Sequence, residues 1–257
     1  MSRGLGDVYK RQILADEQNE FGGWMLAEGD VTIEGGSPAD WVAGIIAELA
    51  AMPDVTLLPR TTVFGYMDHN YLTLTERVTD HLAMRPSHLP RQRMWKVRAR
   101  QVVLAQGAHE RPLVFSGNDL PGVMLSGAVR TSINRYGVIP GNRCVVFTNN
   151  DDGYRTALSL QKGGAEAVIV DLRHEVRSAL FKMAKEAGIR IMTGHAVTIA
   201  SGTQRIARVE ISPVNEDATS VLDDPVHMDC DLLAMSGGLS LFTCIHRHVA
   251  SWPGMKN

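Results

Sequence analysis

A chain of 257 residues that is 44% hydrophobic and 21% charged has the composition of a globular protein with one large or two modest cores, which excludes a disordered or fibrous class. Its formal net charge of -2 and lack of a dense basic helix leave no electrostatic footprint for nucleic acid or an anionic membrane. No run approaches the roughly 18 apolar residues of a membrane helix, no signal segment is visible, and Cys144, Cys230 and Cys244 are scattered without a C-x-x-C, so a reduced, cytoplasmic protein is expected.

Residues 1–12 are polar and aperiodic and are expected to be a non-native or disordered leader. Gly4-x-Gly6 is not a dinucleotide fingerprint, because no strand precedes it and Tyr9 stands where a third glycine belongs. Ile13-Leu14-Ala15-Asp16-Glu17-Gln18 has the form of a second Rossmann strand ending in carboxylates. A carboxylate there accepts hydrogen bonds from the adenosine ribose and repels a 2'-phosphate, favouring NAD, FAD or ADP over NADP. The first strand and its glycine-rich loop should come before Ile13, and they are missing. After the glycine loops at Phe21–Gly23 and Glu34–Pro38, Ser37 caps a helix that opens with Pro38 and carries Asp40 in its first turn. Trp41, Val42, Ile45, Ile46 and Leu49 recur at helical spacing, and Pro53 ends the pattern. Val55–Leu58 and Thr61–Tyr66 read as strands, the latter crossing over the site. Tyr71–Val78 and Trp95–Arg100 read as an antiparallel pair.

Val102-Val103-Leu104-Ala105-Gln106-Gly107-Ala108 suits a strand buried on both faces of a parallel sheet and stopped at a glycine that lets a ligand approach the backbone. It resembles the "ATG" strand of two-dinucleotide-domain flavoproteins, with Gln106 in place of the threonine. Asn118–Val123 reads as a turn and Ser126–Tyr136 as a short helix. Pro140-Gly141 marks a boundary, after which strand Arg143–Thr148, helix Tyr154–Lys162 and strand Ala167–Asp171 form a second βαβ unit, followed by helix Glu175–Ala187 and strand Arg190–Thr193. Its phosphate loop reads Thr148-Asn149-Asn150-Asp151-Asp152-Gly153-Tyr154, where a pyrophosphate would face two carboxylates instead of backbone N–H groups. We read it as a degenerate loop forming an Asx-rich helix cap, the alternative being recognition of a cationic partner or of ligand hydroxyls.

Val197–Ser201 and Ala207–Ile211 read as a hairpin, and residues 213–225 as an acidic loop. Cys230–Ser236 is another apolar strand stopped by Gly237 and Gly238, and it mirrors the run at Val102. The pattern therefore predicts an α/β fold: a Rossmann-like FAD/NAD(P)-binding domain without its first strand over residues 13–140 plus 226–257, and an inserted second, degenerate Rossmann-like unit over 141–225. Cys244-x-His246-x-His248 has no fourth ligand near it, so no metal site is expected, and no Ser/His/Asp or Cys/His triad is visible.

A closer resemblance lies in longer runs. ADEQ-x-E-F-G-G (15–23), LLPRTTVFGY-x-D-H-N (57–70), ERPLVF-x-GND-x-PGVML (110–125), VVFTNNDD-x-YRTAL (145–158) and DLLAMSGG (231–238) resemble the alpha subunit of heterotetrameric sarcosine oxidase, over Ile13 to Gly238. The resemblance implies a complex that oxidatively demethylates sarcosine to glycine, passes the one-carbon unit to tetrahydrofolate and forms peroxide. It implies NAD in this subunit, FAD and FMN in the assembled complex, and beta, gamma and delta subunits as partners. Sarcosine and tetrahydrofolate then act outside this chain, which is expected to be an internal piece of the alpha subunit without catalytic residues of its own. Carried over by position, Asp16, Glu17 and Gln18 match the adenosine-binding strand end, Val63 the adenine-contacting crossover strand, and Gln106 and Gly107 the closing strand. Gly23 and Trp24 fall on the phosphate side, where Trp24 departs from the family's small polar or basic residue, and Gly237 and Gly238 end the last matched strand. Two alternatives stay open: an ADP/ATP- or NAD-binding scaffold in a related amine or imino-acid dehydrogenase complex, and an independent FAD/NAD(P)H oxidoreductase. The absence of a C-x-x-C argues against a disulfide reductase, and the loop at Asn149–Asp152 against NADPH in the second unit.

Overall fold

The computed structural model describes residues 11–29 and 31–241. Most of the expected leader and the Cys244-x-His246-x-His248 run lie outside the described residues. The described chain forms two compact units: one runs to Leu26 and from Val31 to Gln106, the other holds Ala27–Gly29 and everything from Gly107 onward.

In the first unit β1 (Gln12–Ala15) runs parallel to β2 (Val55–Leu58), with Ala15 opposite Leu58. Between them in sequence lie a short 3₁₀ turn (Gly23–Ala27) and helix α1 (Pro38–Ala51). The Ser37 Oγ accepts from the Asp40 backbone N–H at 3.1 Å and donates to Asp40 Oδ2 at 2.7 Å, which satisfies a helix-terminal donor that would otherwise have no partner. Val42 is buried and Trp41, Ile45, Ile46 and Leu49 are half-buried, so the apolar stripe read from the sequence is the inward face. Strands β3 (Thr61–Met67), β4 (Tyr71–Arg77) and β5 (Gln92–Arg98) form an antiparallel meander in which buried Leu74 pairs with Val63 on one side and Trp95 on the other.

The strand expected over Val102–Ala108 is not formed. Val103 is 88% exposed, and the strand lies instead at β6 (Ala108–Glu110). A strand buried on both faces needs ladder partners along its length. Among the described residues β1 pairs with β2 alone, so nothing runs alongside Val102–Gln106 to receive it.

The second unit contains, after β6, β7 (Val123–Leu125), α2 (Ser126–Asn134), β8 (Arg143–Thr148), α3 (Asp152–Lys162), β9 (Glu166–Asp171), α4 (Ala179–Glu186) and β10 (Arg190–Thr193). Then come β11 (His195–Gly202), β12 (Ile206–Pro213), β13 (Val226–Asp229), β14 (Leu232–Ser236) and β15 (Leu239–Leu241). Five strands make one parallel sheet in the order β10-β9-β8-β14-β7, and β11-β12-β13 form a separate antiparallel sheet. Alternation along the central strands divides the core. Val145, Phe147, Leu233 and Met235 pack with Val209 and Ile211 of the antiparallel sheet, whereas Cys144, Val146, Leu232 and Ala234 pack with Val129, Tyr154, Leu160 and Ala184 of the three helices. The unit is therefore three layers thick, with the parallel sheet in the middle.

Three expectations are corrected here. The strand expected over Cys230–Ser236 does not return to the first domain: β14 sits between β8 and β7, and the division between units falls at Gln106/Gly107 instead of at Gly141 and Pro225. Two apolar, glycine-stopped runs look alike in sequence, and only pairing decides their sheet. Helix α4 starts at Ala179, later than Glu175, because the Ser178 Oγ accepts from Phe181 N–H at 3.2 Å and sets the cap there. Val123, read as the last residue of a turn, instead opens the edge strand Val123–Leu125, which pairs with Leu233–Met235. Among the described residues no helix is long and apolar enough to cross a membrane, and no cluster of three or more His, Cys, Asp or Glu could hold a metal ion.

Replacing Ser37 with Ala removes the α1 cap and is expected to lower stability by about 1 kcal/mol, while Ser37→Gly costs only a few tenths. Urea unfolding of the two variants beside the parent checks the difference; equal midpoints for all three would show that the cap carries no weight.

Candidate functional site

The end of β1 is fixed almost wholly through its backbone. Asp16 N–H donates to Leu58 O at 3.1 Å, Thr61 N–H to Asp16 O at 2.7 Å, and Arg60 N–H to Gln18 O at 2.7 Å. Arg77 Nη2 donates to Glu17 O at 2.7 Å. Asp16, Glu17 and Gln18 are thus held at the carboxyl end of a parallel strand, the side on which open α/β sheets bind ligands. Of the Asp16 carboxylate, Oδ1 accepts from Gln18 N–H at 2.9 Å, and Oδ2 makes no hydrogen bond among the described residues. Glu17 and Gln18 are exposed. The arrangement can accept hydrogen bonds from a vicinal diol while its carboxylates repel an added phosphate.

Gly23, at φ 52°, opens the 3₁₀ turn, and Trp24 follows in that turn with 43% exposure. The preceding Gly22, at φ 123°, packs so closely that a Cβ would come within 2.9 Å of Val42 Cγ1. Val63 lies on β3, half-buried, beside the bulge between Val63 and Gly65. Gln106 is exposed in the segment that does not form a strand.

Gly107, Gly237 and Gly238 belong to the second unit. Gly107 has φ 69° just before β6, and Gly238 has φ 87° just before β15. Arg111 N–H donates to Gly238 O at 2.8 Å and Gly237 N–H to Arg111 O at 2.9 Å, and a Cβ on Gly237 would approach Arg111 O to 2.6 Å. The two glycines at the end of β14 therefore serve a close backbone crossing with Arg111.

Beside them the loop after β8 is occupied by its own partners. Asp151 is the N-cap residue of α3 but makes no capping bond with its side chain; Asn150 Oδ1 accepts from Asp152 N–H at 2.9 Å instead. Asp151 pairs with Arg173 at 2.9 Å, and Asp152 pairs with Arg130, which is 3% exposed. The cationic partners weighed for these aspartates are thus arginines of the same chain. Asp171, ending β9, is fully buried, accepts from Tyr154 Oη at 2.8 Å and is bridged by Arg173 Nη2 at 2.8 Å. Burial alone would lower the Arg173 guanidinium, but its bonds to Asp171 and Asp151 outweigh that and raise it; burial and then Asp171 push the Tyr154 phenol up. Burial likewise raises the Cys144 thiol to about 12 and the Cys230 thiol to about 11, so neither is a nucleophile near neutral pH.

Sequence reading missed Glu110, Arg130 and Arg173 as members of this cluster, and Arg60 and Arg77 as supports of the β1 end. No local spacing announces them, since their partners are brought up by the sheet. Glu110 Oε2 accepts from Gly127 N–H, at the start of α2, at 2.8 Å, while Glu110 Oε1 and Asp152 Oδ2 are buried without a hydrogen-bond partner. Burial raises the Glu110 carboxyl, against the bond from Gly127 N–H; the charge of Asp152 adds to the rise and that of Arg130 opposes it. A carboxyl raised in the folded state contributes stability that is present at acid pH and lost as pH climbs through the raised value. Glu110→Gln is therefore expected to melt a few degrees above the parent near neutral pH, with the gap closing as pH falls toward the ordinary glutamate value of 4.5. Thermal melts across that range check it, and a parent more stable than the variant near neutrality would overturn the assignment.

No family model matches the chain. Over 239 residues it is 40% identical to the sarcosine oxidase subunit alpha of Corynebacterium sp. (strain P-1), covering 92% of this chain and 24% of that protein. It is 47% identical over 169 residues to the subunit of the same name from Rhizobium meliloti (strain 1021), covering 65% of this chain and 17% of that protein. The chain thus spans no more than about a quarter of the length of these relatives. Among solved structures it is similar to Lactococcus lactis thioredoxin reductase (TM-score 0.68, 15% identity, 91% of this chain and 73% of that one). It is also similar to L-proline dehydrogenase from P. horikoshii (TM-score 0.57, 18% identity, 90% and 38%). At such identities the solved structures speak to the fold alone, and they carry the same mixed α/β architecture with a parallel sheet. By sequence, then, the chain is a homologue of a segment of sarcosine oxidase alpha subunits, and its mixed α/β, Rossmann-like fold is similar to that of the solved thioredoxin reductase.

Proposed function

We propose that this chain is the NAD-holding part of the alpha subunit of a heterotetrameric sarcosine oxidase. In that complex sarcosine is oxidatively demethylated to glycine with peroxide formation, and the one-carbon unit passes to tetrahydrofolate. The observation that carries the reading is the contrast between two strand-end aspartates. Asp16 keeps one carboxylate oxygen uncommitted at the end of β1, whereas Asp171 is buried and bound on both oxygens. A ribose diol can be received at the first and not at the second. With Glu17 beside it, Asp16 disfavours a 2'-phosphate, which selects NAD over NADP.

Asp16, Glu17 and Gln18 hold the adenosine ribose in this reading, the Val63 backbone meets the adenine, and Gly23 and Trp24 lie toward the phosphates, with Gln106 on the closing segment. FAD and FMN belong to the assembled complex with its beta, gamma and delta subunits. Sarcosine and tetrahydrofolate bind elsewhere in it, so the isolated chain has no amine oxidase activity.

The test is to co-express the full-length subunit with its neighbours, assay sarcosine-dependent peroxide, and identify the nucleotides released on denaturation by mass spectrometry. Active complex that releases NAD is expected. Asp16→Ala should lower NAD retention roughly tenfold, as for loss of a hydrogen bond to a charged group worth about 1.5 kcal/mol. ADP or ATP in place of NAD would move the assignment to a scaffold in a related dehydrogenase, FAD held tightly by this subunit would indicate an independent reductase, and peroxide made by the 257-residue chain alone would remove the claim that it is inactive.

A further inference from the structure

The second unit has the architecture of a dinucleotide site. From β8 the chain crosses through α3 to β9 on one side, while β14 lies against β8 on the other, so the topological switch point falls between β8 and β14 at their carboxyl ends. A pyrophosphate would lie across that crevice, against the amino ends of the flanking helices.

We infer that this crevice is closed by the chain's own side chains and takes no dinucleotide. The two strand ends are tied across it: Asn149 N–H donates to Ser236 O at 3.3 Å, and Asn150 Nδ2 donates to Ser236 O at 3.0 Å and Ser236 Oγ at 3.1 Å. Two donors at the helix starts that a phosphate would use are already engaged, Asp152 N–H by Asn150 Oδ1 and Gly127 N–H by Glu110 Oε2. The aspartate positioned to receive a ribose, Asp171, is buried and bound to Tyr154 and Arg173. Arg173, which would attract a phosphate, is neutralised by Asp151 and Asp171, and Arg130 is paired with Asp152. Carboxylates of this chain thus stand where ligand anions would, and any phosphate entering the crevice would meet Asp151 and Asp152 first. One glycine of the usual loop is retained for a different reason: a Cβ on Gly153 would lie 2.5 Å from Thr148 Cβ, so Gly153 lets α3 pack on β8.

This inference stands whether or not the first unit holds NAD, and one experiment reads the two separately. Hydrogen–deuterium exchange is followed on the full-length subunit in its complex, with and without millimolar NAD, NADP or inorganic pyrophosphate. Exchange of Asn149–Tyr154 and Leu172–Arg173 is expected to be unchanged by all three, whatever happens at Asp16–Gln18. In Asp151→Ala, Arg173 loses a counter-ion while the crevice loses a carboxylate, so pyrophosphate should slow exchange in those segments several-fold. Asp151 is 43% exposed at its side chain, which favours a folded variant; Asp151→Asn, which removes the charge at constant volume, carries the same expectation should the alanine variant fail to fold. Ligand-dependent protection of these segments in the parent overturns the inference, and so does a folded variant that gains no response to pyrophosphate.

Discussion

The second unit depends on the insertion of β14 between β8 and β7. All five of its residues are buried, and its side chains alternate between the helical layer and the antiparallel sheet, so the strand joins both cores. Full burial of a Leu or Met side chain contributes roughly 1.5–3 kcal/mol, which makes this strand a large share of what holds the layers together. Its ends are fixed by polar contacts as well. The Asp231 carboxylate accepts from the backbone N–H groups of Asn142 and Arg143 at 2.9 Å each, aligning the starts of β14 and β8, and Ser236 is tied to Asn149 and Asn150 at the other end. The alignment that makes the sheet also shuts its ligand-binding edge.

Both units end a parallel strand on an aspartate after an apolar run, Ile13-Leu14-Ala15-Asp16 in one and Val168-Ile169-Val170-Asp171 in the other. Their chemistry differs because their surroundings differ. Asp16 is followed by a loop whose backbone makes most of the contacts, which leaves the carboxylate partly uncommitted; Asp171 is followed two residues later by Arg173, which folds back on it. A buried carboxylate must be bonded or neutralised, and Arg173 and Tyr154 do that work internally.

The same distinction marks what could be read from the sequence. Helix α1 was legible because Ser37, Pro38 and Asp40 form a local start signal and the apolar stripe has a period of its own. Strands β8, β9 and β10 were legible because β-branched runs between glycine turns suit few other structures. The run at Val102 misled for a physical reason: apolar, β-branched composition records a capacity to be a buried strand, and realising it needs neighbours that the run does not encode. The like-looking run at Leu232 has those neighbours, and it is buried. At the loop of Asp151 and Asp152 the misfit with a pyrophosphate could be read from charge alone. The identity of the cations could not, because Arg130 and Arg173 are brought to the aspartates only by the packing of α2 and β9 on α3 and β8.

The retained fold and the changed side chains answer to different constraints. Gly153 is required by the approach of α3 to β8, and Gly237 by the crossing of the segment at Arg111; neither requirement involves a ligand. A Rossmann-like sheet can therefore keep its helix–strand geometry while Asn149, Asn150, Asp151 and Glu110 take over the contacts a dinucleotide would otherwise make. Removing one of these groups without supplying an anion leaves a cation or a helix N–H short of a partner at the sheet edge, a cost the self-bonded crevice avoids. The architecture then fixes where a nucleotide could bind, and the charges at the strand ends decide whether one does.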